Sequence, residues 1–176
     1  MTLLERINDD LKDAMRARDE HKLSALRMVR AAIKKTEDAK ISAQYDAWAK
    51  KTRGTPEEAN TPDFRGQAAP LEEAEVLSVI AKEVKERKDS LAEFQKANRQ
   101  ELVKKEELEL AILMAYLPAQ LSRDDIAAAV KAVIQQLGAT GPSDKGKVMP
   151  LIMGQLRGKA EGAEINAVVT ELLAAL

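Results

Sequence analysis

LEEAEVLSVIAKEVKERKDSLAEFQKANRQELVKKEELELAILMAYLP, residues 71–118, repeats apolar side chains at the spacing of helices. Intervals of three, four and seven residues bring side chains to one side of a helix, whereas a half-buried strand alternates them at every second position. The pattern predicts a long helix and then a second one, which ends at Pro118. The apolar positions are Leu77, Ile80, Val84, Leu91, Phe94, Leu102, Leu110, Leu113, Tyr116 and Leu117.

Charged residues fill the rest of this stretch, with opposite charges three and four positions apart in KEVKERKD (82–89) and KKEELE (104–109). Such pairs stabilise exposed helix faces by roughly 0.2–0.5 kcal/mol each, so we expect these side chains to be solvated. An alternative for Glu106, Glu107 and Glu109 is that they are ligands of a metal ion. They lack a histidine and a second carboxylate cluster, so we predict neither a metal nor a cofactor.

Two shorter helices precede this stretch. Thr2 and Glu5 have the capping-box spacing at the start of the first helix, and the apolar pattern restarts near Asp19 for the second. We predict an antiparallel pair joined by a short loop. The two apolar stripes are Leu3, Leu4, Ile7, Leu11 and Met15, then Leu23, Leu26, Val29 and Ile33.

Residues 39–70 lose this periodicity and collect three prolines and two glycines. They predict an exposed, flexible insertion, although ISAQYDAWAKK (41–51) can also extend the second helix. The segment holds Tyr45, Trp48 and Phe64. We favour packing of Tyr45 and Trp48 against the protein over stacking of these rings on nucleic-acid bases.

Three more helices are predicted after Pro118, at about 122–137, 143–156 and 163–176. Ser122 and Gly138 are residue types that cap the two ends of a helix. Because no stretch alternates strictly, the predicted fold class is all-α in two helical lobes. The N-terminal lobe, 1–118, is a bundle of about four helices with a long antiparallel pair and the insertion at 39–70, and the C-terminal lobe, 119–176, has three helices.

The composition excludes several classes of protein. With 28 basic and 29 acidic residues the chain has no overall positive field, so any anion site has to be local. The absence of cysteine excludes disulfides and thiolate chemistry and fits a reducing compartment. No apolar run has membrane-spanning length, and the acidic start MTLLERINDD does not resemble a signal peptide. We therefore predict a cytoplasmic protein that binds neither membranes nor DNA.

GPSDKGKV, residues 141–148, matches a phosphate-binding P-loop up to its final position. A true P-loop follows a strand, and its lysine is followed by Ser or Thr, whose hydroxyl binds magnesium. Here a helix is predicted to precede the loop, and Val148 replaces the hydroxyl. We interpret Gly141 to Asp144 as a turn with Ser143 as a helix N-cap, and nucleotide hydrolysis is the least favoured function.

Residues 144–159 are locally basic, with a net charge of +3 from Asp144 and the basic residues Lys145, Lys147, Arg157 and Lys159. Glycines recur nearby at Gly146, Gly154, Gly158 and Gly162. A glycine costs about 1 kcal/mol inside a helix, so a repeat indicates close helix packing or close approach of a partner's backbone. Such a local group of basic residues and glycines is suited to binding phosphates. On these residues alone, however, the favoured interpretation is a solvated helix end.

Three segments of the chain resemble the GatB/YqeY family. They are ERINDDLKDAMRARDEHKLSALRMVRAAIKK (5–35), VIAKEVKERKDSLAEFQKANRQELVKKEELELAILMAYLPAQLS (79–122) and the glycine and lysine segment that starts at Gly146. YLPAQLS and GKVM are the most specific pieces. The chain resembles freestanding YqeY proteins throughout. Its last part is also similar to the C-terminal tail of the B subunit of glutamine-dependent aminoacyl-tRNA amidotransferase.

The resemblance implies a two-lobed helical fold and a link to tRNA, because the amidotransferase tail contacts the tRNA body while the chemistry is done elsewhere. It makes Lys147, Arg157 and Lys159 candidate phosphate contacts, with Lys145 beside them. It makes Gly146, Gly154 and Gly158 positions at which a partner approaches the backbone or helices pack closely. Pro150, inside the predicted helix, departs from the family pattern, as does the 39–70 insertion.

The family-level label, carbon–nitrogen ligase with glutamine as amido-N-donor, is expected to belong to a complex rather than to this chain. His21 is the single histidine and has no evident partner for base catalysis. We therefore expect a tRNA-binding accessory module without its own active site. The alternative is a helical protein-interaction module that docks on an amidotransferase or an aminoacyl-tRNA synthetase.

Overall fold

The computed structural model describes residues 1–52 and 71–176, and these residues are all-α as predicted, with no β-strand among them. A 3-10 turn at Pro142–Asp144 adds to the helices. The described residues form two compact units, Met1–Val79 and Ile80–Leu176, and the division predicted at 118/119 stays a prediction. In chain order the helices are α1 (Leu3–Ala17), α2 (Glu20–Thr52), α3 (Glu73–Lys96), α4 (Gln100–Met114), α5 (Arg123–Leu137), α6 (Lys145–Gln155) and α7 (Gly162–Ala174).

The first unit is organised by α1 and α2, which pack against each other. The predicted capping box forms, since Thr2 Oγ1 accepts a hydrogen bond from the Glu5 N–H at 3.2 Å and Glu5 Oε2 accepts one from the Thr2 N–H at 2.7 Å. A left-handed residue, Arg18 with φ 56°, ends α1. Ile7 of α1 and Leu26, Val29 and Ile33 of α2 are buried as the stripes predict, whereas Met15 is 56% exposed and its neighbour Ala14 is buried in its place.

Helix α2 continues past residue 39, where the insertion was predicted to begin. The alternative prediction, that 41–51 extend the second helix, is confirmed. Residues 39–52 continue the helix, because they contain neither proline nor glycine and are rich in alanine and lysine, which have high helix propensity. Tyr45 and Trp48 are half-buried, and their ring centroids lie 6.0 Å apart. The remainder of the predicted insertion, 53–70 with Phe64, lies outside the described residues.

A buried ion pair joins α3 and α4 in the second unit, where the sequence predicts solvated charges. Arg87 Nη1 lies 2.6 Å from Glu109 Oε2 and 2.9 Å from Glu106 Oε2, and the side chains of Arg87 and Glu109 are only 5% and 1% exposed. The prediction of solvation is therefore wrong for Arg87 and Glu109. Both lie on the apolar stripes of their helices, three residues after the buried Val84 and four before the buried Leu113.

The last three helices of the chain, α5, α6 and α7, pack around one apolar core, at bounds close to those predicted. Ser122 and Asp125 form a capping box at the start of α5, and Gly138 ends that helix with φ 61°. All three helices contribute to the core, which consists of Ile126, Val130, Val133, Ile134, Val148, Ile152, Leu156, Ile165, Val168, Val169 and Leu173.

The start of α6 differs from the prediction that Ser143 is its N-cap. Pro142 opens the 3-10 turn, where its missing N–H needs no partner, and Ser143 is exposed inside that turn. Asp144 is the N-cap of α6, and its side chain makes no capping hydrogen bond. Its Oδ2 accepts a hydrogen bond from the Thr140 N–H, in the loop before the turn, at 3.0 Å. The Asp144 carboxylate is thus positioned next to the basic residues that follow it.

Replacing Arg87 by leucine should lower the free energy of unfolding by about 3–5 kcal/mol, because Glu109 would keep a buried charge without its partner. Urea unfolding followed by far-UV circular dichroism measures the loss. The double variant Arg87→Leu/Glu109→Leu should recover most of it, since neither buried charge remains. Lys104→Leu, at an exposed position of α4, is the control and should change the value by less than about 0.5 kcal/mol. Equal losses for Arg87→Leu and Lys104→Leu would contradict this account.

Candidate nucleic-acid interface

The four predicted basic residues lie at the two ends of α6 rather than in one cluster. Lys145 and Lys147 are in the first turn of the helix, whereas Arg157 and Lys159 follow its last residue. Because a helix rises about 1.5 Å per residue, Lys147 and Arg157 are separated by about 15 Å along the helix axis. The fold therefore presents two basic positions along one helix, an arrangement that suits a chain of phosphates better than a single compact anion.

The N-terminal basic position is held by contacts with nearby side chains. Lys147 Nζ lies 2.8 Å from Asp144 Oδ1, and the Lys147 side chain is 74% exposed. Lys145 Nζ donates a hydrogen bond to Thr170 Oγ1 of α7 at 2.9 Å. Sequence reasoning missed both partners. The spacing of three between Asp144 and Lys147 was an available signal, but the contact between Lys145 and Thr170 exists only in the folded chain.

The pair of Asp144 and Lys147 shifts the pKa values of both its members. The hydrogen bond from Lys147 and another from the Thr140 N–H hold the pKa of Asp144 below its usual value. The hydrogen bond to Asp144 and the charge of that carboxylate raise the pKa of Lys147. Both groups are therefore charged at neutral pH, and Lys147 can exchange Asp144 for a phosphate oxygen without gaining or losing a proton.

The C-terminal basic position is a turn with a fixed backbone and exposed side chains. The Lys159 N–H donates to the Leu156 carbonyl at 2.9 Å, and the Lys159 carbonyl accepts from the Leu121 N–H at 2.8 Å. The Gly158 carbonyl accepts a hydrogen bond from Gln120 Nε2 at 2.8 Å. The side chains of Arg157 and Lys159 are exposed on this turn. Such a turn presents two cations while losing little backbone entropy on binding.

The predicted glycines differ in what they do. Gly158 has φ 72°, which favours glycine. At Gly146 and Gly154, a Cβ atom would meet no atom of the described chain within 4 Å. Close packing among the described residues therefore does not explain Gly146 and Gly154. Pro150 does not interrupt this surface, because α6 continues through it.

Acidic and histidine side chains are dispersed over the part of the chain that the structure describes. No group of three or more of them there is placed to hold a metal ion. Glu106 and Glu109 form ion pairs with Arg87. They are two of the three carboxylates considered above as metal ligands. His21 is exposed in the first turn of α2. The candidate site presents cations and open helix backbone.

Comparison with known proteins agrees with the resemblance drawn from the sequence. A family model described as Yqey-like protein matches residues 4–48 and 57–173. Altered inheritance of mitochondria protein 41, mitochondrial, from Pyrenophora tritici-repentis is 28% identical over 165 residues, which cover 92% of this chain and 75% of that protein. Its namesake from Kluyveromyces lactis is 30% identical, with coverages of 92% and 72%. The one from Lachancea thermotolerans is 31% identical, with coverages of 78% and 60%.

These comparisons overturn the prediction of a cytoplasmic location, because the relatives are named as mitochondrial proteins. The prediction rested on the absence of cysteine and on the lack of a long apolar run. Proteins of any reducing aqueous compartment share those properties, so composition did not discriminate between compartments. In the ranges 1–52 and 71–176, no helix combines the length and apolar character needed to cross a membrane.

Replacing Lys147 by alanine should raise the pKa of Asp144 towards its ordinary value, because the largest cause of its lowering is removed. Some lowering should remain, since the Thr140 N–H still donates to the carboxylate. An NMR titration of the Asp144 carboxyl carbon measures the change. Asp125, whose pKa is lowered by hydrogen bonds from Ser122, is the internal control and should not move. An unchanged pKa of Asp144 would show that the pair does not form in solution.

The same variant should alter the pH dependence of stability with a definite sign. A carboxyl group whose pKa is lowered by folding stabilises the protein above its unfolded pKa, and this contribution is lost as the pH falls through the folded pKa. In Lys147→Ala, folding lowers the pKa of Asp144 less. As the pH falls below the unfolded pKa of Asp144, the free energy of unfolding should therefore decrease less in this variant than in the unchanged protein.

Proposed function

This chain belongs to the Yqey-like protein family, and from that premise we propose that it is a tRNA-binding accessory module of glutamine-dependent tRNA amidation, without an active site of its own. The observation that carries the proposal is the pair of basic positions at the ends of α6. They coincide with the segment that resembles the amidotransferase tail. The names of the relatives refer to mitochondrial inheritance and not to RNA, so the tRNA link rests on that resemblance and on charge.

Charge placement supports the proposal, because Arg157 and Lys159 lack the ion pairs that several other exposed basic residues of the described chain form. Lys12, Arg16 and Lys34 each lie within 3.0 Å of an aspartate three or four residues away. Arg157 and Lys159 have no carboxylate within ion-pair distance among the described residues. A local excess of cations in a chain of net charge −1 attracts phosphates without a general affinity for polyanions.

The open glycines of α6 support the same partner. Gly146 and Gly154 leave helix backbone accessible on a surface that also carries Lys147. A polynucleotide backbone can come close to such a surface, where phosphate contacts fix position and carry no sequence information. We therefore propose recognition of the tRNA body by its phosphates, with any choice among tRNAs made by the partner enzyme.

Purified protein should bind bulk tRNA with an affinity that falls steeply as salt rises. Changing Lys147, Arg157 and Lys159 together to glutamate should weaken binding and lower the slope of log K against log salt by about 2–3, because three phosphate contacts are lost. Filter binding or fluorescence anisotropy over a salt series measures both quantities.

The matched control is the triple variant Lys12→Glu/Arg16→Glu/Lys34→Glu, which changes the net charge equally at side chains that are 63%, 77% and 66% exposed. It should lose affinity only through the general charge of the protein. Equal losses for the two triple variants, or no tRNA binding at low salt, would refute the proposal.

A helical protein-interaction module is the second candidate, favoured by the end of α2. Ile41, Tyr45 and Trp48 are spaced by four and three residues, so they share one helix face. Ile41 is 41% exposed, and the two aromatic rings are only half-buried. Partly exposed apolar side chains on one helix face suit the groove of a partner protein. The partner we propose for this face is an amidotransferase or an aminoacyl-tRNA synthetase.

Affinity capture with the tagged full-length chain, before and after RNase treatment, discriminates the two candidates. A protein partner of this face should stay bound after RNase treatment and be lost on deletion of 39–70 or in Tyr45→Ala/Trp48→Ala. The variant Lys147→Glu/Arg157→Glu/Lys159→Glu should keep that partner. Loss of all captured proteins on RNase treatment would dismiss this candidate in favour of RNA binding.

A further inference from the structure

A cavity of about 270 Å³ lies in the second unit, formed by the part of α3 after Ile80, the segment after α4 and the start of α7. Its apolar wall consists of Ala81, Val84, Leu117 and Ala160. Val84 is buried, and the other three are partly exposed. The wall can therefore cover a small apolar group, and the size of the cavity limits the occupant to a small molecule.

Three lysines line another side of this cavity. Lys82, Lys85 and Lys88 recur every three residues along α3, so they lie near one another on one face of the helix. Lys88 Nζ is 2.5 Å from Glu161 Oε1, and Lys82 Nζ is 3.7 Å from Glu86 Oε1. Lys85 has no carboxylate partner among the described residues. Of the described residues that line the cavity, Glu161 is the one carboxylate, which leaves them a net charge of +2.

Backbone donors of α7 complete the lining. Glu161 is the N-cap of this helix, but its side chain makes no capping hydrogen bond, because Lys88 holds the carboxylate. Among the residues that the structure describes, no side chain accepts from the first N–H groups of the helix, which include those of Gly162 and Ala163. Both residues line the cavity. The donors add to the attraction that the lysines exert on an anion.

We propose that this cavity binds a small phosphate monoester that carries a short apolar substituent. A phosphate monoester has a charge of about −1.5 to −2 at neutral pH, which balances the lysines and Glu161. Its oxygens accept hydrogen bonds from Lys85 and from the first turn of α7, and its substituent contacts Val84 and Leu117. The volume lies just below the range of about 300–1,000 Å³ that is typical of drug-sized ligands, so a compact molecule fits.

The cations of this site are separate from those of the proposed RNA surface. Lys145, Lys147, Arg157 and Lys159 do not line the cavity, although Gly158, in the turn between Arg157 and Lys159, does. The internal phosphates of RNA are diesters with a single charge, and a polymer does not enter a cavity of this volume. Each proposal can therefore fail while the other holds.

The full-length chain should be titrated with butyl phosphate by isothermal calorimetry and by thermal unfolding. We expect saturable binding and a concentration-dependent rise in Tm. Inorganic phosphate, which lacks the apolar group, should bind more weakly. Butylammonium, of similar size and opposite charge, should not bind. In ¹H–¹⁵N spectra the amide signals of Gly162 and Ala163 should shift on addition of butyl phosphate.

Lys85→Gln should weaken butyl phosphate binding by about tenfold, since one charged hydrogen bond is lost. Lys104→Gln removes the same charge at an exposed position outside the cavity and should leave the affinity unchanged. Ala163→Leu, at an exposed position on the cavity rim, should block binding by filling space while Lys85 remains.

Several results would overturn the proposal. They are the absence of saturable binding at millimolar butyl phosphate, equal affinities of Lys85→Gln and Lys104→Gln, and equal binding of inorganic phosphate and butyl phosphate. Chemical-shift changes centred on Lys147 instead of Gly162 would also overturn it, because they would place the anion on the α6 surface.

Discussion

The buried guanidinium of Arg87 is the constraint on which the second unit depends. A charge with 5% exposure is tolerated only if opposite charges lie beside it, and the carboxylates of Glu106 and Glu109 in α4 lie 2.9 and 2.6 Å from Arg87 Nη1. These contacts tie one position of α3 to two positions of α4. Lys85 lies on the same helix as Arg87, half a turn away, so the ion pair that holds this part of α3 also helps to position the cationic side of the cavity.

Local charge, not net charge, distinguishes this protein. Exposed pairs three and four residues apart neutralise much of the helix surface, and each contributes little to stability. Two sets of cations carry the proposals: those at the ends of α6 and the lysines of α3. The first is spread along a helix and suits a polymer of phosphates, whereas the second surrounds a small volume and suits a compact anion.

The predictions that failed did so for identifiable physical reasons. Arg87 and Glu109 were expected to be solvated, but each occupies a position on an apolar stripe, and opposite charges on facing stripes indicate a buried pair. Ser143 is a common N-cap residue type, yet Pro142 begins the turn before it. Residues 41–51 were predicted either to belong to the insertion or to extend the second helix, and the structure confirms the extension through Tyr45 and Trp48.

Periodicity and capping residues determined the helices of this protein by themselves, since both act over one turn: the box of Thr2 and Glu5, the box of Ser122 and Asp125, and the stop at Gly138 are all local. The resemblance of the sequence also determined the family. Only the tertiary structure decided which charges are buried, that Lys145 meets Thr170, and that the lysines of α3 share a cavity with the start of α7. These contacts join residues far apart in the chain, and they are set by helix packing, which no local pattern encodes.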